Sequence, residues 1–408
     1  MTPPELLALR SPAAVRARAH QILDFVLAGG SPHFTVDEAA LDGVADYVVE
    51  TTRRAYPTLD VPYHSRWRHF AAGGVDRWAA LAEQLPADPL ARARTMVDLT
   101  VVSVLLDAGA GDAWRYAEAG GAPPLGRSEG LAIASFRMFE AGGFSSDAAE
   151  PLRADAAALL ALDAGALERF FQVRGDNPLV GVEGRVALMN RLGAALAARP
   201  ELFGAGPARP GGLVDALHAH APLGRLPAAD ILTALLDGLA PIWPSGLVVD
   251  GLALGDVGRH RAIVRPDRSH GLVPFHKLSQ WLTYSLIEPF EAAGFAVTGL
   301  DELTALPEYR NGGLLIDLGL IRPRVPLEPG VRHGVDSELV VEWRALTVAL
   351  MDRLAGAVRE RLALDAGAFP LAKMLEGGTW AAGRRIAAER RPPAGPPPLG
   401  IDADGTVF

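Results

Sequence analysis

In PFHKLSQWLTYSLIEPFEAAG, residues 274–294, Leu278, Trp281, Leu282, Ser285 and Leu286 recur at i, i+3, i+4, i+7 and i+8. That spacing lays them along one face of an α-helix, and Gly294 is placed to end it. The same rhythm returns over 338–364, where Leu339, Trp343, Leu346, Leu350 and Leu354 share a face. Strand-type alternation is sparse. LVVDGLALGDVG (247–258) holds two short apolar runs around Asp-Gly and Gly-Asp turns, and AIV (262–264) is a third short candidate. The expected fold is mainly α with a small β-hairpin.

Working outward, Ser11 and Pro12 open a helix over 11–28 as N-cap and first helical residue. Thr35, with Glu38 three residues on, has the spacing of a capping box for the next helix. Similar patterns cover 76–106, 128–141, 150–171, 183–199, 212–220 and 227–238. GAGPARPGG (204–212) separates the helices on either side of it, and RRPPAGPPPLG (390–400) is polyproline-like. The expected organisation is one helical domain over 1–389, with 1–204 and 212–389 as candidate lobes, followed by a Pro-rich tail, 390–408. No fixed-period repeat is present.

At 408 residues the chain is long enough to bury a sizeable core, and about half of it is apolar. Its charges sum to 39 − 48 = −9 without a long basic stripe, which argues against a duplex nucleic-acid partner and against base excision from DNA. Cysteine is absent, excluding disulfides, thiolate nucleophiles and cysteine zinc sites. The N-terminal stretch has no continuous apolar leader segment, and no run approaches the roughly 18 apolar residues of a membrane span. A soluble, cytoplasmic protein with neither nucleic-acid nor membrane partners is expected.

Four features invite chemistry. The chain ends IDADGTVF (401–408), which matches the opening motif of haloacid-dehalogenase-type phosphatases. Its context excludes that reading: PPAGPPPLG cannot form the central strand before Asp402, and the downstream lysine and metal acids have no room. His218, His220, His260, His270 and His276 lack an HExxH pattern, and i, i+2 spacing turns His218 and His220 to different sides of a helix. EGGTW (376–380) and YRNGGLL (309–315) each set a Gly pair beside a polar residue. Such a pair fits either helix–turn punctuation or close approach of backbone to a ligand. Finally, Lys277, Gln280, Trp281 and Tyr284 fall on or near one side of a helix, and a second helix leads to Glu308, Tyr309, Arg310 and Asn311. A carboxylate beside Arg and Asn, flanked by aromatics, has the ingredients of a polar ligand site. It equally fits an interhelical Glu–Arg bridge.

FHKLSQWLTYSL, LPEYRNGGLLIDLG, VEWRALTVALMDRLA, LEGGTWAAGRRIAAE and the terminal DGTVF together resemble the uracil-catabolism protein family of fungi and bacteria, associated with the URC pathway of uracil degradation. The resemblance runs from about residue 5 to 408, and members of that family end in DGTVF without a phosphatase domain. A more distant similarity is to the queuosine-salvage nucleotide glycohydrolases, which carry F-x-K-x-x-Q and then L-T-x-x-x-x-Y-R. Here these are Phe275, Lys277 and Gln280, then Leu303, Thr304, Tyr309 and Arg310. Their fold is helical and akin to the helix–hairpin–helix DNA glycosylases. The residue before Tyr-Arg is Asp in that family and Glu308 here, one methylene longer.

These resemblances imply a reaction. The pathway is understood to open the uracil ring while it is attached to ribose, leaving a ribosylurea-type intermediate from which urea must be released. A glycohydrolase-like fold implies an N-ribosyl hydrolase acting on that small ureido-ribose or nucleotide-like substrate, 5′-phosphorylated or closely related. Cleavage develops positive charge at C1′, so a carboxylate there stabilises it or directs water. Glu308 is the candidate acid, with Arg310 to keep it ionised. Asn311, Gln280 or Tyr309 would assist the leaving group, Lys277 and Arg185 would hold phosphate, and Trp281 would wall the pocket. Glu376, Trp380, Glu342 and Arg344 are second-line candidates. Neither a metal nor a redox cofactor is implied. The competing class is a non-catalytic metabolite-binding or partner protein of the same pathway.

Overall fold

Helices carry most of the chain, as the 3.6-residue rhythm predicts. The computed structural model describes residues 3–402 apart from 108, 121–122, 222–223, 244–245, 329 and 394. The 11–28 pattern forms the helix Pro12–Leu27, with Ser11 accepting from Ala14 N and Pro12 at the first position. The 274–293 pattern forms Lys277–Ala292, and Gly294 follows at φ 92°. The 338–364 pattern forms Glu338–Leu362.

Three helix boundaries depart from expectation, the first because strand pairing claims Thr35 and the other two because an Asp side chain caps a new helix. Thr35 does not cap a helix: it lies in the strand Phe34–Val36, which pairs antiparallel with Ile321–Pro323. Asp37 caps the short turn Glu38–Ala40 instead, ahead of the helix Leu41–Ala55. The 76–106 tract divides into Arg77–Ala82 and Pro89–Leu105, since Asp88 caps afresh and Pro89 opens the second helix. The 150–171 tract divides at Asp163, which accepts from Ala166 N at 2.7 Å.

The expected hairpin is Val248–Val249 with Leu252–Ala253 around Asp250-Gly251. AIV (262–264) is not a strand, and Val257–Arg259 instead takes Leu272–Pro274 as its antiparallel partner. Two parallel pairs join Arg225–Pro227 to Ala296–Thr298 and Gly400–Asp402 to Arg332–Gly334. At two or three residues each, these strands are too short for alternation to show in the sequence.

Packing sorts the chain into two compact units. One comprises Met1–His64, Ser245–Tyr284 and Gly299–Phe408. Its spine is the long helix Glu338–Leu362, buried continuously from Val340 to Met351, against which Pro12–Leu27 and Leu41–Ala55 pack. The helix Tyr309–Asp317 packs on both this spine and the C-terminal helix Trp380–Arg390. Gly383 makes the second contact possible, for a Cβ there would stand 2.2 Å from the Arg310 carbonyl oxygen. After Arg390 the tail straps the same region. Arg391 pairs with Asp317 at 2.7 and 2.5 Å, and Arg310 donates to Gly395 O at 2.8 Å. Leu399 and Ile401 are buried, and Arg332 holds Asp402 at 2.5 Å. Asp404, Val407 and Phe408 lie outside the described residues.

The other unit comprises Ser65–Pro244 and Ser285–Thr298. Within it Pro89–Leu105 packs on Arg127–Glu140, and Val182–Ala198 on Ala156–Ala161. Fully buried Asp98 accepts from Ala154 N, Gly211 N and Arg209, which fastens the 204–212 loop to the helix Pro89–Leu105. Among the described residues no helix is long and apolar enough to cross a membrane.

Candidate active site

Glu308 is the N-cap of the helix Tyr309–Asp317. With φ −121° and ψ 168° it is extended, and its carboxylate folds back over the first turn. Oε1 accepts from Asn311 N at 2.6 Å and Oε2 from Arg310 N at 2.7 Å. Shorter side chains normally occupy this position. Glu308 satisfies two of the orphan N–H groups at once and sits at the positive end of the helix dipole. The residue is only 6% exposed. Burial raises its pKa above the ordinary 4.5, against the opposing pull of the two N–H groups, Lys277 and His64.

Asn311 is fully buried beside this cap. Its Nδ2 donates to Leu306 O at 3.1 Å, which fixes the orientation of the amide, and its Oδ1 has no hydrogen-bond partner among the described residues. A buried acceptor without a donor carries the full cost of desolvation. A ligand N–H is the complement it lacks.

Two tryptophans and a second carboxylate gather around His64. Its ring Nδ1 lies 2.7 Å from Glu376 Oε2, and its backbone N donates to Ala372 O at 2.7 Å. The Trp281 and Trp380 rings stand 6.4 and 5.7 Å from the imidazole, centroid to centroid. Lys277, one helical turn before Trp281, acts with His64 on the Glu308 charge. Glu376 belongs to a π-helical turn, Leu375–Thr379. Its glycines explain themselves by packing: a Cβ on Gly377 would meet Val61 at 2.8 Å, and one on Gly378 would meet Val48 at 2.9 Å. In YRNGG, a Cβ on Gly312 would meet Trp343 at 2.7 Å. Both Gly pairs serve close packing within the chain.

The remaining candidates support this cluster or lie apart from it. Gln280 is fully buried, with its carboxamide spent on Phe275 O at 3.1 Å, Thr304 Oγ1 at 2.6 Å and Thr304 N at 2.9 Å. Arg344 grips Asp256 at 2.8 and 2.7 Å, and its guanidinium carbon stands 4.0 Å from the Phe275 ring centroid. Asp256 also accepts from Lys277 N at 3.0 Å. Gln280 and Arg344 thus anchor the start of the Lys277 helix and the segment leading to Glu308. Arg310 does not hold the Glu308 carboxylate with its side chain; the guanidinium reaches Gly395 O and covers the Tyr309 ring at 4.9 Å. Tyr309 is 37% exposed. Glu342 is buried between Ser31 and His260, the latter at 2.9 Å. Arg185 belongs to the other unit, where it donates to Leu106 O at 3.1 Å, Gly109 O at 3.2 Å and Val180 O. Burial lowers its pKa to about 10. His64 is absent from the sequence-based candidates, and nothing in its local sequence, DVPYHS, marks it. No three His, Asp or Glu side chains among the described residues group as metal ligands.

The chain matches the family described as "Protein of unknown function (DUF1688)" over residues 8–408. It is 39% identical over 402 residues to protein urg3 of Schizosaccharomyces pombe, covering 97% of this chain and 96% of the relative. It is 36% identical over 436 residues to uracil catabolism protein 4 of Lachancea kluyveri, covering 98% of each.

Proposed function

The chain belongs to the family of proteins of unknown function DUF1688, and from that premise we propose that it acts in uracil catabolism as an N-ribosyl hydrolase. The pathway rests on the name of the Lachancea kluyveri relative, which says this of that protein. The reaction is hydrolysis of the C1′–N bond of a ribosylurea, 5′-phosphorylated in its preferred form. Water's oxygen bonds to C1′, the nitrogen takes a proton, and urea and the free ribose phosphate leave.

The observation that carries this reading is the Glu308 carboxylate, buried at a helix N-terminus with Lys277 and the His64–Glu376 pair close by. A buried carboxylate whose pKa is raised is a stronger base than one in water. Ionised, it directs water to C1′ and stabilises the charge that develops there. Asn311 Oδ1 is the acceptor for a urea N–H, and Trp281 and Trp380 supply apolar walls. The 5′-phosphate falls to Lys277, because the Arg185 guanidinium is committed to backbone carbonyls. Gln280 and Arg344 act as anchors.

The test is incubation of the purified protein with synthetic ribosylurea 5′-phosphate and measurement of urea. Release that falls sharply in Glu308→Gln is expected. One observation favours a second reading: both Glu308 oxygens already serve the helix cap, so the carboxylate also suits a non-catalytic metabolite-binding protein. Measurable binding of the ribosylurea without release by the wild type would select that reading over hydrolysis.

A further inference from the structure

His64 has geometry that the hydrolase reading leaves unused. The residue is 6% exposed, and its Nδ1 is taken by Glu376 Oε2 at 2.7 Å. Nε2 has no hydrogen-bond partner among the described residues. A carboxylate opposite Nδ1 fixes the tautomer with the N–H on that nitrogen and leaves Nε2 as the ring nitrogen that can meet a ligand. Rotation of the ring is restricted by Trp281 and Trp380, whose planes are tilted 40° and 45° to the imidazole. Glu376 is set in place by the π-helical turn Leu375–Thr379, a distortion that recurs at functional sites. The histidine is also close enough to Glu308 for the two charges to interact.

A ureide anion is far too basic to depart unprotonated, so C1′–N cleavage needs a proton donor as well as a carboxylate base at C1′. We propose, resting on the hydrolase reading above, that His64 Nε2 is that donor and Glu376 its positioning residue. As the C1′–N bond breaks, its electron pair stays on nitrogen and takes the Nε2 proton. Water's oxygen bonds to C1′, and the proton lost by water passes to Glu308. Solvent then reprotonates His64 and deprotonates Glu308, closing the cycle with ribose 5-phosphate and urea as products. The two carboxylates therefore have different tasks, one at C1′ and one behind the imidazole.

Leaving-group dependence separates this role from a structural one. Wild type, His64→Gln, Glu376→Gln and Glu308→Gln are each given ribosylurea 5′-phosphate and 4-nitrophenyl ribofuranoside 5′-phosphate, whose phenolate leaves without a proton. His64→Gln is expected to lose urea release by about 10²-fold or more while keeping nitrophenolate release within roughly tenfold. Glu376→Gln should show the same split in kcat, more weakly, and Glu308→Gln should lose both activities. Retained nitrophenolate release also certifies that the His64 variant is folded. Equal losses on both substrates, or no loss on either, would overturn the assignment of His64 while leaving the hydrolase intact. A wild type that cleaves neither substrate would overturn the hydrolase reading and this role with it.

Discussion

Replacing Glu308 by Gln and by Ala separates the cap from the buried charge. In the folded chain each carboxylate oxygen accepts one backbone N–H, from Asn311 and Arg310. Gln keeps one acceptor and sets an NH2 against the other N–H, so one cap bond is lost at a cost of about 1 kcal/mol. Ala loses both bonds and leaves two orphan donors, costing about 1–3 kcal/mol more. Against this stands the charge. Burial raises the Glu308 pKa above 4.5 despite the N–H groups and nearby cations, so the folded state holds its proton to a higher pH than the unfolded chain. Between the unfolded and folded pKa values the folded state binds more protons, and stability falls as pH rises through that window. Gln carries no such penalty. Guanidinium denaturation of wild type, Glu308→Gln and Glu308→Ala from pH 4 to 8 should therefore show the wild-type advantage over Gln shrinking as pH rises, with Ala least stable throughout. A wild-type advantage that grows with pH would reverse the sign of the burial effect, and equal stability of Gln and Ala would mean that the cap bonds contribute nothing.

Gly383→Ala should destabilise by roughly 1–3 kcal/mol or more, because its Cβ would enter the space of Arg310 O. The control Gly356→Ala, exposed in the middle of the long helix with nothing near its Cβ, should stabilise by about 0.5–1 kcal/mol; thermal melting distinguishes the two. Glu342→Ala should cost about 3 kcal/mol or more, since Ser31 and His260 lose their shared buried partner. Its KM should stay unchanged if Glu342 does not touch substrate. Truncation after Arg390 removes the Arg391–Asp317 pair and uncovers the sites of Leu399 and Ile401. Burial of those two side chains alone is worth about 1.5–3 kcal/mol each, so a lower melting temperature is expected together with reduced activity, and an unchanged melting temperature would show that the tail does not hold the site.

What the sequence discloses follows from how local each determinant is. Helices announced by an apolar stripe and a cap, such as Pro12–Leu27 and Glu338–Leu362, fall where spacing puts them. Thr35 misleads because a strand partner nearly three hundred residues away outcompetes the capping box. In the site, Glu308 and Asn311 are legible as neighbours on one helical turn, and Lys277 and Trp281 as one turn of another. Gln280 and Arg344 are residue types that suit a ligand, yet their partners are Thr304 and Asp256, which no local pattern connects to them. The Gly pairs show the same limit: what presses on them is the side chain of a distant segment. His64 is illegible for this reason alone, since its meaning lies in Glu376.

Those two residues stand 312 positions apart, in a unit assembled from three separated stretches. A ribosome delivers His64 first of these residues, then nearly the whole of the other unit, and only afterwards Lys277, Glu308, Glu376 and Trp380. Closing so long a loop adds little entropy cost over a shorter one, so the delay is one of synthesis order. A chain stopped between Thr298 and Glu308 would contain every residue of the other unit, but neither Glu308 nor the Glu376 partner of His64. The His64–Glu376 pair is therefore completed only after every residue of the other unit has been made.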